Sequence, residues 1–274
     1  MPELPEVESY RAKLDPIVRG AHVEQAVLAP ANYAFITPPH VIRRKLHGAK
    51  LEGLRRHGKY LLLDIANTSC LLIHLGMTGQ IFAGSLATGF APDQHVHMTL
   101  TLRGGEVLYF RDPRKFGKLA WIASREFSAE PRLAKLGPDA LEIEGEELWS
   151  RIKTRKAPIK SVLLDQSVYA GIGNIYADEA LFMAGIRPGR AARGLTKQSV
   201  MRLAECVGIV LRHAVSLGGS SINDYLLPDG SIGYFQIQHK VYGRAGEQCK
   251  SCEGVVKRVS IGSRSSHYCS HCQR

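Results

Sequence analysis

Long apolar runs are missing from this sequence. The best of them, Cys70-Leu71-Leu72-Ile73, is followed directly by His74, whereas a helix that crosses a bilayer needs about eighteen to twenty apolar residues in a row. The opening segment MPELPEVESY lacks both the basic start and the apolar stretch of a signal peptide. Nothing repeats at a period of about 20 to 50 residues, which excludes solenoids and propellers. These absences predict a soluble, cytoplasmic protein with no membrane partner. Negative charge is also scarce: 25 Asp and Glu stand against 36 Lys and Arg, a net +11 over 274 residues. So one-sided a balance points to a polyanionic partner, nucleic acid or an acidic membrane face. What the chain does have is apolar material, 45% of its residues with 22% charged. That is enough to bury a sizeable core and it excludes global disorder.

The positive charge is concentrated. Arg43 to Lys59 holds seven basic residues and one acidic, and Lys240 to Arg274 holds seven and two. Two clusters at opposite ends of the chain are able to line one groove. Of the six cysteines, Cys70 and Cys206 are isolated in apolar segments. Cys249, Cys252, Cys269 and Cys272 form one C-x2-C pair, a spacer of sixteen residues and a second C-x2-C pair. Four thiolates at that spacing suit one tetrahedral zinc ion rather than disulfides of a reducing compartment. With sulfur at all four positions no place is left for a reacting water, so the metal is structural, contributing about 10 to 16 kcal/mol to the folding of so small a module. Lys257, Arg258 and Arg264 lie between the knuckles on a predicted β-hairpin, either set against phosphates or simply solvated.

Val7, Tyr10, Leu14 and Ile17 recur at helical spacing, Glu3, Glu6 and Glu8 favour the positive end of such a helix, and Gly20 stops it. Turn-separated β-like stretches follow at Tyr60 to Ile65, Cys70 to Leu75, Val96 to Leu102 and Glu106 to Phe110, the last two flanking a hairpin turn at Arg103-Gly104-Gly105. An antiparallel β-domain with one N-terminal helix is expected over residues 1–126. From about Phe127 the chain becomes acidic and helical. Its clearest helix follows Thr196, an N-cap, with Val200, Leu203, Val207, Leu211 and Ala214 on one face and Gly218-Gly219 at its end. Residues 219–238 show neither period, and so long a loop is functional or mobile.

Eight motifs occur in order: MPELPEVE at the start, HGKYLL at 57–62, HLGMTG at 74–79, DPRKFG at 112–117, GIGNIYADE at 171–179, GYFQ at 233–236, VYGRAGEQC ending at Cys249, and the cysteine quartet. Together, from end to end, they resemble the formamidopyrimidine-DNA glycosylases, bacterial 8-oxoguanine DNA glycosylase/lyases. The resemblance implies an α+β fold in two domains, with DNA between the halves. An N-terminal helix lies on an antiparallel β-sandwich (1–126). A C-terminal helical domain carries a helix-two-turn-helix motif and a lesion-covering loop (127–238), and ends in a zinc finger (239–274). It implies a monomeric base-excision repair enzyme that binds damaged double-stranded DNA. Such an enzyme removes 8-oxoguanine opposite cytosine and ring-opened formamidopyrimidines, then cleaves the strand by β,δ-elimination.

The resemblance also implies roles for particular residues. Pro2, exposed by removal of Met1, supplies a secondary amine that attacks the anomeric carbon and passes to a cationic Schiff base. Glu3 is the acid/base that helps to open the sugar ring, and Glu6 matches a position near the amine, although helix stabilisation explains it equally. Lys59 sits beside the phosphate of the damaged nucleotide and assists proton transfer, a pair of tasks that suits a point charge on a flexible stem. Arg264, on the zinc finger, completes this catalytic group by gripping the backbone around the lesion. His95, Arg114, Lys160 and Asn174 are the implied DNA contacts. Extruding a nucleotide leaves a hole in the duplex, filled in this family by Met77 as plug, Phe116 as wedge and Arg114 on the orphaned cytosine, whose edge suits the paired donors of arginine. Other readings are an endonuclease VIII-like enzyme for oxidised pyrimidines, and a non-catalytic zinc-ribbon or RNA-binding protein. The first usually begins PEGPE and lacks DPR-x-F; the second leaves the PELPE start unexplained.

Overall fold

In the computed structural model of the chain, residues 1–31, 33–66, 69–85, 93–123, 130–222 and 225–274 are described. They divide into two compact units. The first is Met1–Ala134 together with Gly218–Gly233, and the second is Lys135–Leu217 together with Tyr234–Arg274. The boundary expected at 126–127 lies outside the described residues. The segment Gly218–Gly233, placed by the sequence reading with the helical domain, packs within the first unit.

The first unit opens with α1 (Leu4–Val18), whose Leu4, Val7, Tyr10, Leu14 and Val18 are buried at intervals of three and four residues. Pro5 sits in the first turn, where its missing N–H costs nothing. Two four-stranded antiparallel sheets follow. One has the order β2 (Leu51–His57), β3 (Tyr60–Ile65), β4 (Ser69–His74), β8 (Lys118–Ile122). The other has the order β1 (Val23–Leu28), β6 (Val96–Leu102), β7 (Glu106–Arg111), β5 (Gln80–Ser85). The expected hairpin is present, β6 and β7 pairing across a turn in which Gly104 and Gly105 take positive φ. Leu61, Leu63, Leu71 and Ile73 of one sheet share a core with Met98, Leu100 and Phe110 of the other and with Val7, Tyr10 and Leu14 of α1. The strands β1, β2, β5 and β8 were not foreseen from the sequence, and neither was a further helix. A second helix, α2 (Pro39–Leu46), buries only Ile42 and Leu46, a single i, i+4 pair too short to register as a period.

The second unit is helical: α4 (Gly145–Ile152), α5 (Ile159–Leu164), α6 (Asn174–Ala184) and α7 (Lys197–Ser216), after the short α3 (Pro131–Ala134) that closes the first. The Thr196 hydroxyl caps α7 by accepting the Ser199 amide at 3.1 Å, and the five residues expected on its inner face are buried. A hairpin of β9 (Val256–Ile261) and β10 (Arg264–Cys269) completes the unit. No helix among the described residues is long and apolar enough to cross a membrane.

Candidate active site

The chain start is held in place before it is used. Glu6, almost wholly buried, accepts the Glu3 amide at 2.8 Å with one carboxylate oxygen and the Ser220 amide at 2.7 Å with the other. Gly219 makes the second contact possible: its φ is +80°, and a Cβ there would lie 2.6 Å from Glu6 Oε1. Gly233, the glycine of GYFQ, closes the same loop, since its Cβ would meet the Gly219 and Gly218 carbonyl oxygens. Tyr10 donates its hydroxyl to the Leu226 carbonyl and stacks edge-on against Tyr225. Burial raises both phenols, so they remain protonated donors. Lys13 pairs with Asp229 at 2.6 Å. Ser220, Leu226 and Asp229, from the stretch that sequence periodicity left blank, are thus each fastened to α1.

Pro2 and Glu3 are buried beneath an exposed Met1. Met1, Pro2, Met77, Thr78, Gly79, Gln80, Arg114, Ile222 and Tyr225 line one cleft of about 100 Å³. Residues expected for the nucleophile and for filling the duplex therefore meet in space although Pro2 and Arg114 are more than a hundred positions apart in sequence. The loop 112–117 is built for this. Asp112, fully buried, accepts the Gly117 amide and the Thr78 hydroxyl, while His97 donates Nε2 to the Asp112 carbonyl. Gly76 lies so close to Phe116 and Gly117 that a Cβ would be 2.5 Å from their backbone. At the tip, Lys115 takes a left-handed φ of 58° and the Arg114 guanidinium lies 4.9 Å over the Phe116 ring. Met77 and Phe116 are 43% and 48% exposed, which no core role explains. His95 is half-buried at the entrance to β6, its carbonyl accepting the Asp112 amide at 2.9 Å.

Lys59 follows Gly58, whose φ is +56°, and is itself buried. Arg56 holds this turn: it pairs with Glu8 of α1 at 2.7 Å and donates to the Gly58 carbonyl at 3.0 Å. His74 on the next strand is pushed down to about 4 by burial first and then by the nearby Lys59 and Lys118 charges, so it is neutral at pH 7. Its Nδ1 accepts the Gly76 amide at 3.2 Å, which fixes the tautomer.

In the second unit the four cysteine sulfurs all lie within 4.8 Å of one another, with Sγ separations of 3.5 Å for Cys252–Cys269 and Cys252–Cys272 and 3.8 Å for Cys249–Cys272. Zinc–sulfur bonds of about 2.3 Å in a tetrahedron require about 3.8 Å between sulfurs, so the donor set fits one structural zinc. Ser251 and Gly254 aim amides at Cys249 and Cys252, as thiolates require. Arg264 is exposed at the hairpin turn formed by Gly262 and Ser263. Asn174 opens α6, and its buried Oδ1 has no partner among the described residues.

Lys160 is the exception to its expected role. Its side chain is fully buried, 2.7 Å from Asp178 and donating to the Ser265 carbonyl, not presented to solvent for a phosphate. The other Asp178 oxygen takes the backbone amide and Nδ1 of His267. Glu179, beside it, accepts the amides of Lys240, Val241 and Tyr242 at 2.8 to 3.0 Å. The two acids tether α6 to β10 within the cysteine module and to the segment that leads into it. Nothing local to the GIGNIYADE motif marks this role for them, because their partners lie more than 60 residues away.

Three family models match the chain: the formamidopyrimidine-DNA glycosylase N-terminal domain over residues 1–119, the H2TH domain of the same family over 136–225, and the zinc finger found in FPG and IleRS over 246–274. The chain belongs to the formamidopyrimidine-DNA glycosylase family. A formamidopyrimidine-DNA glycosylase of Stenotrophomonas maltophilia is 43% identical over the full length of both chains. The crystal structure of the MutM (Fpg) protein from Thermus thermophilus is 39% identical, with a TM-score of 0.87 over 99% of this chain and 98% of that one. A Lactococcus lactis Fpg mutant crystallised with DNA containing Fapy-dG is 30% identical, with a TM-score of 0.89 over all of both chains. The α+β fold, the helix-two-turn-helix region and the zinc finger expected of a formamidopyrimidine-DNA glycosylase are all present.

Proposed function

We propose that the chain is a base-excision repair DNA glycosylase and lyase that removes oxidised purines from duplex DNA through an imine on Pro2. The observation that carries this reading is the single cleft lined by Pro2, Met77, Arg114, Ile222 and Tyr225. Met1 also lines that cleft, and its removal turns the Pro2 nitrogen from an amide into a secondary amine.

The freed amine attacks C1′ of the extruded nucleotide. The bond from C1′ to the base breaks, and the base leaves with a proton. Glu3 then protonates the ring oxygen, C1′–O4′ opens, and the nitrogen lone pair forms the iminium. Loss of a C2′ proton expels the 3′ phosphate, and a second elimination expels the 5′ phosphate. Hydrolysis of the imine returns the amine. Lys59, held by Arg56, faces the phosphate of this nucleotide and helps to move protons. Met77 and Phe116 fill the vacated stack, and Arg114 pairs with the orphaned cytosine. His95, Asn174 and Arg264 hold the backbone, with Lys160 acting through the hairpin that carries Arg264. One zinc, held by the four cysteines, keeps that hairpin folded. A single chain acting alone in the cytoplasm follows from the same family resemblance.

Paired duplexes containing 8-oxoguanine opposite cytosine or thymine glycol test the substrate. Faster release of the oxidised purine is expected, and markedly faster release of the pyrimidine would overturn this choice in favour of the endonuclease VIII-like reading.

A further inference from the structure

The first basic cluster does not act as one surface. Toward its C-terminal end, Arg55 is paired with Asp64, Arg56 with Glu8, and Lys59 is buried. At the other end Arg43, Arg44, Lys45, His47 and Lys50 are all exposed, and none has an ion-pair partner among the described residues. No Asp or Glu occurs between Glu24 and Glu52 to neutralise them. Cations in the last turn of α2 do offset its dipole, an effect of about 0.3 to 1 kcal/mol each that fades beyond one turn. Lys50 lies four residues past the helix, beyond the reach of that effect.

Three of these side chains border a second cleft, and Arg43 and Arg44 directly precede them on α2. Lys45, His47, Lys50 and the half-buried Trp121 line a space of about 510 Å³ with Gly48, Ala49, Ile65, Ala66, Ser69 and Ala123. It lies at the Ile65 end of β3, whereas Lys59 adjoins the Tyr60 end. Five strand steps separate the two ends, about 17 Å, or about two screening lengths at physiological salt. Charge at this place therefore does little for a nucleotide held at Lys59.

We propose that Arg43, Arg44, Lys45, His47, Lys50 and Trp121 form a second DNA-backbone site, which holds an undamaged duplex segment while the lesion segment occupies the Pro2 cleft. The proposal rests on the DNA-repair reading, because that reading supplies the polymer. Adjacent arginine forks and mobile lysines suit phosphate oxygens, and unpaired exposed cations bind them with release of counterions. Damaged bases are few among undamaged ones, so a second segment is at hand wherever the enzyme works. Two such sites let the protein pass between segments without letting go.

The test uses the full chain with Met1 removed, trapped by borohydride on an 8-oxoguanine duplex so that the first site is filled. A fluorescent undamaged duplex is then titrated in and followed by anisotropy. The wild-type adduct is expected to bind it, with log K falling against log salt at a slope of about −3. The variant combining Arg43→Gln, Arg44→Gln, Lys45→Gln and Lys50→Gln should form the adduct at the wild-type rate and bind the second duplex at least tenfold more weakly. Arg43→Lys with Arg44→Lys should retain binding. The proposal is overturned if the wild-type adduct binds no second duplex, if the glutamine variant binds it equally, or if the adduct captures polyglutamate in place of duplex, which would mark an acidic protein as partner. Adduct formation is its own readout of the catalytic reading. Should it fail, the same titration on the complex with a tetrahydrofuran-containing duplex decides the second site separately.

Discussion

Glu6 and Ser220 are 214 residues apart in sequence and joined by a 2.7 Å hydrogen bond, so the helix that begins behind Pro2 and the segment facing Pro2 are one construction. A carboxylate is required there because both of its partners are N–H donors.

Glu6→Gln keeps the size and replaces one acceptor by a donor aimed at an amide. An unsatisfied buried group of this kind costs about 1 to 3 kcal/mol. The urea midpoint should fall accordingly. Excision of 8-oxoguanine should slow at least tenfold, and cleavage at a preformed abasic site, which has no base to cover, should slow less.

Lys160→Met strands the buried Asp178 charge and is expected to cost about 3 to 5 kcal/mol. Adding Asp178→Asn removes the charge while keeping an acceptor for the His267 amide, and most of the loss should be recovered. Lys160 acts through the hairpin, so DNA binding by the double variant should keep the wild-type salt dependence. A slope smaller by about 0.9 would instead mark Lys160 as a direct phosphate contact.

Zinc removal should separate the two halves of the function. A strong chelator, or Cys249→Ser, is expected to unfold residues 246–274 and abolish DNA binding. The fold of α1 and its sheets should survive, measured by hydrogen exchange at Tyr10 and Leu14. Simultaneous loss of protection in both units would contradict a confined structural role.

How far the sequence reached follows from the range of the interactions. The α7 face, the β6–β7 hairpin and the cysteine module were legible because each is written within a few residues: the Thr196 cap, the Gly104-Gly105 turn and the C-x2-C pairs. Pro2, Met77 and Arg114 were brought together by motif resemblance alone, since nothing local relates them. What escaped was long-range. The segment 218–233 has no periodicity because Glu6, Tyr10 and Lys13 hold it from outside. Lys160 reads as one more surface cation until Asp178 is seen beneath it. The α2 helix, with one buried pair, was too short to announce itself.

His74 gives the fold a pH dependence with a definite sign. Its imidazole titrates near 6.5 when unfolded and is held down to about 4 when folded. Between those values the unfolded chain binds a proton that the folded chain does not, so stability is lost as pH falls from about 6.5 toward about 4. His239, buried in the second unit and also held down to about 4, acts in the same direction. His74→Asn keeps an acceptor for the Gly76 amide and cannot titrate. Its urea midpoint should vary less with pH across this window than that of the wild type, and an identical profile would remove His74 as the cause.

The most direct test is to locate the bond. The chain freed of Met1 is incubated with an 8-oxoguanine duplex, reduced with borohydride, digested and mapped by mass spectrometry. The expected result is one DNA remnant on the Pro2 nitrogen. A remnant on Lys59 or any other lysine, or no adduct from fully processed protein, would contradict the assignment of Pro2 as the nucleophile.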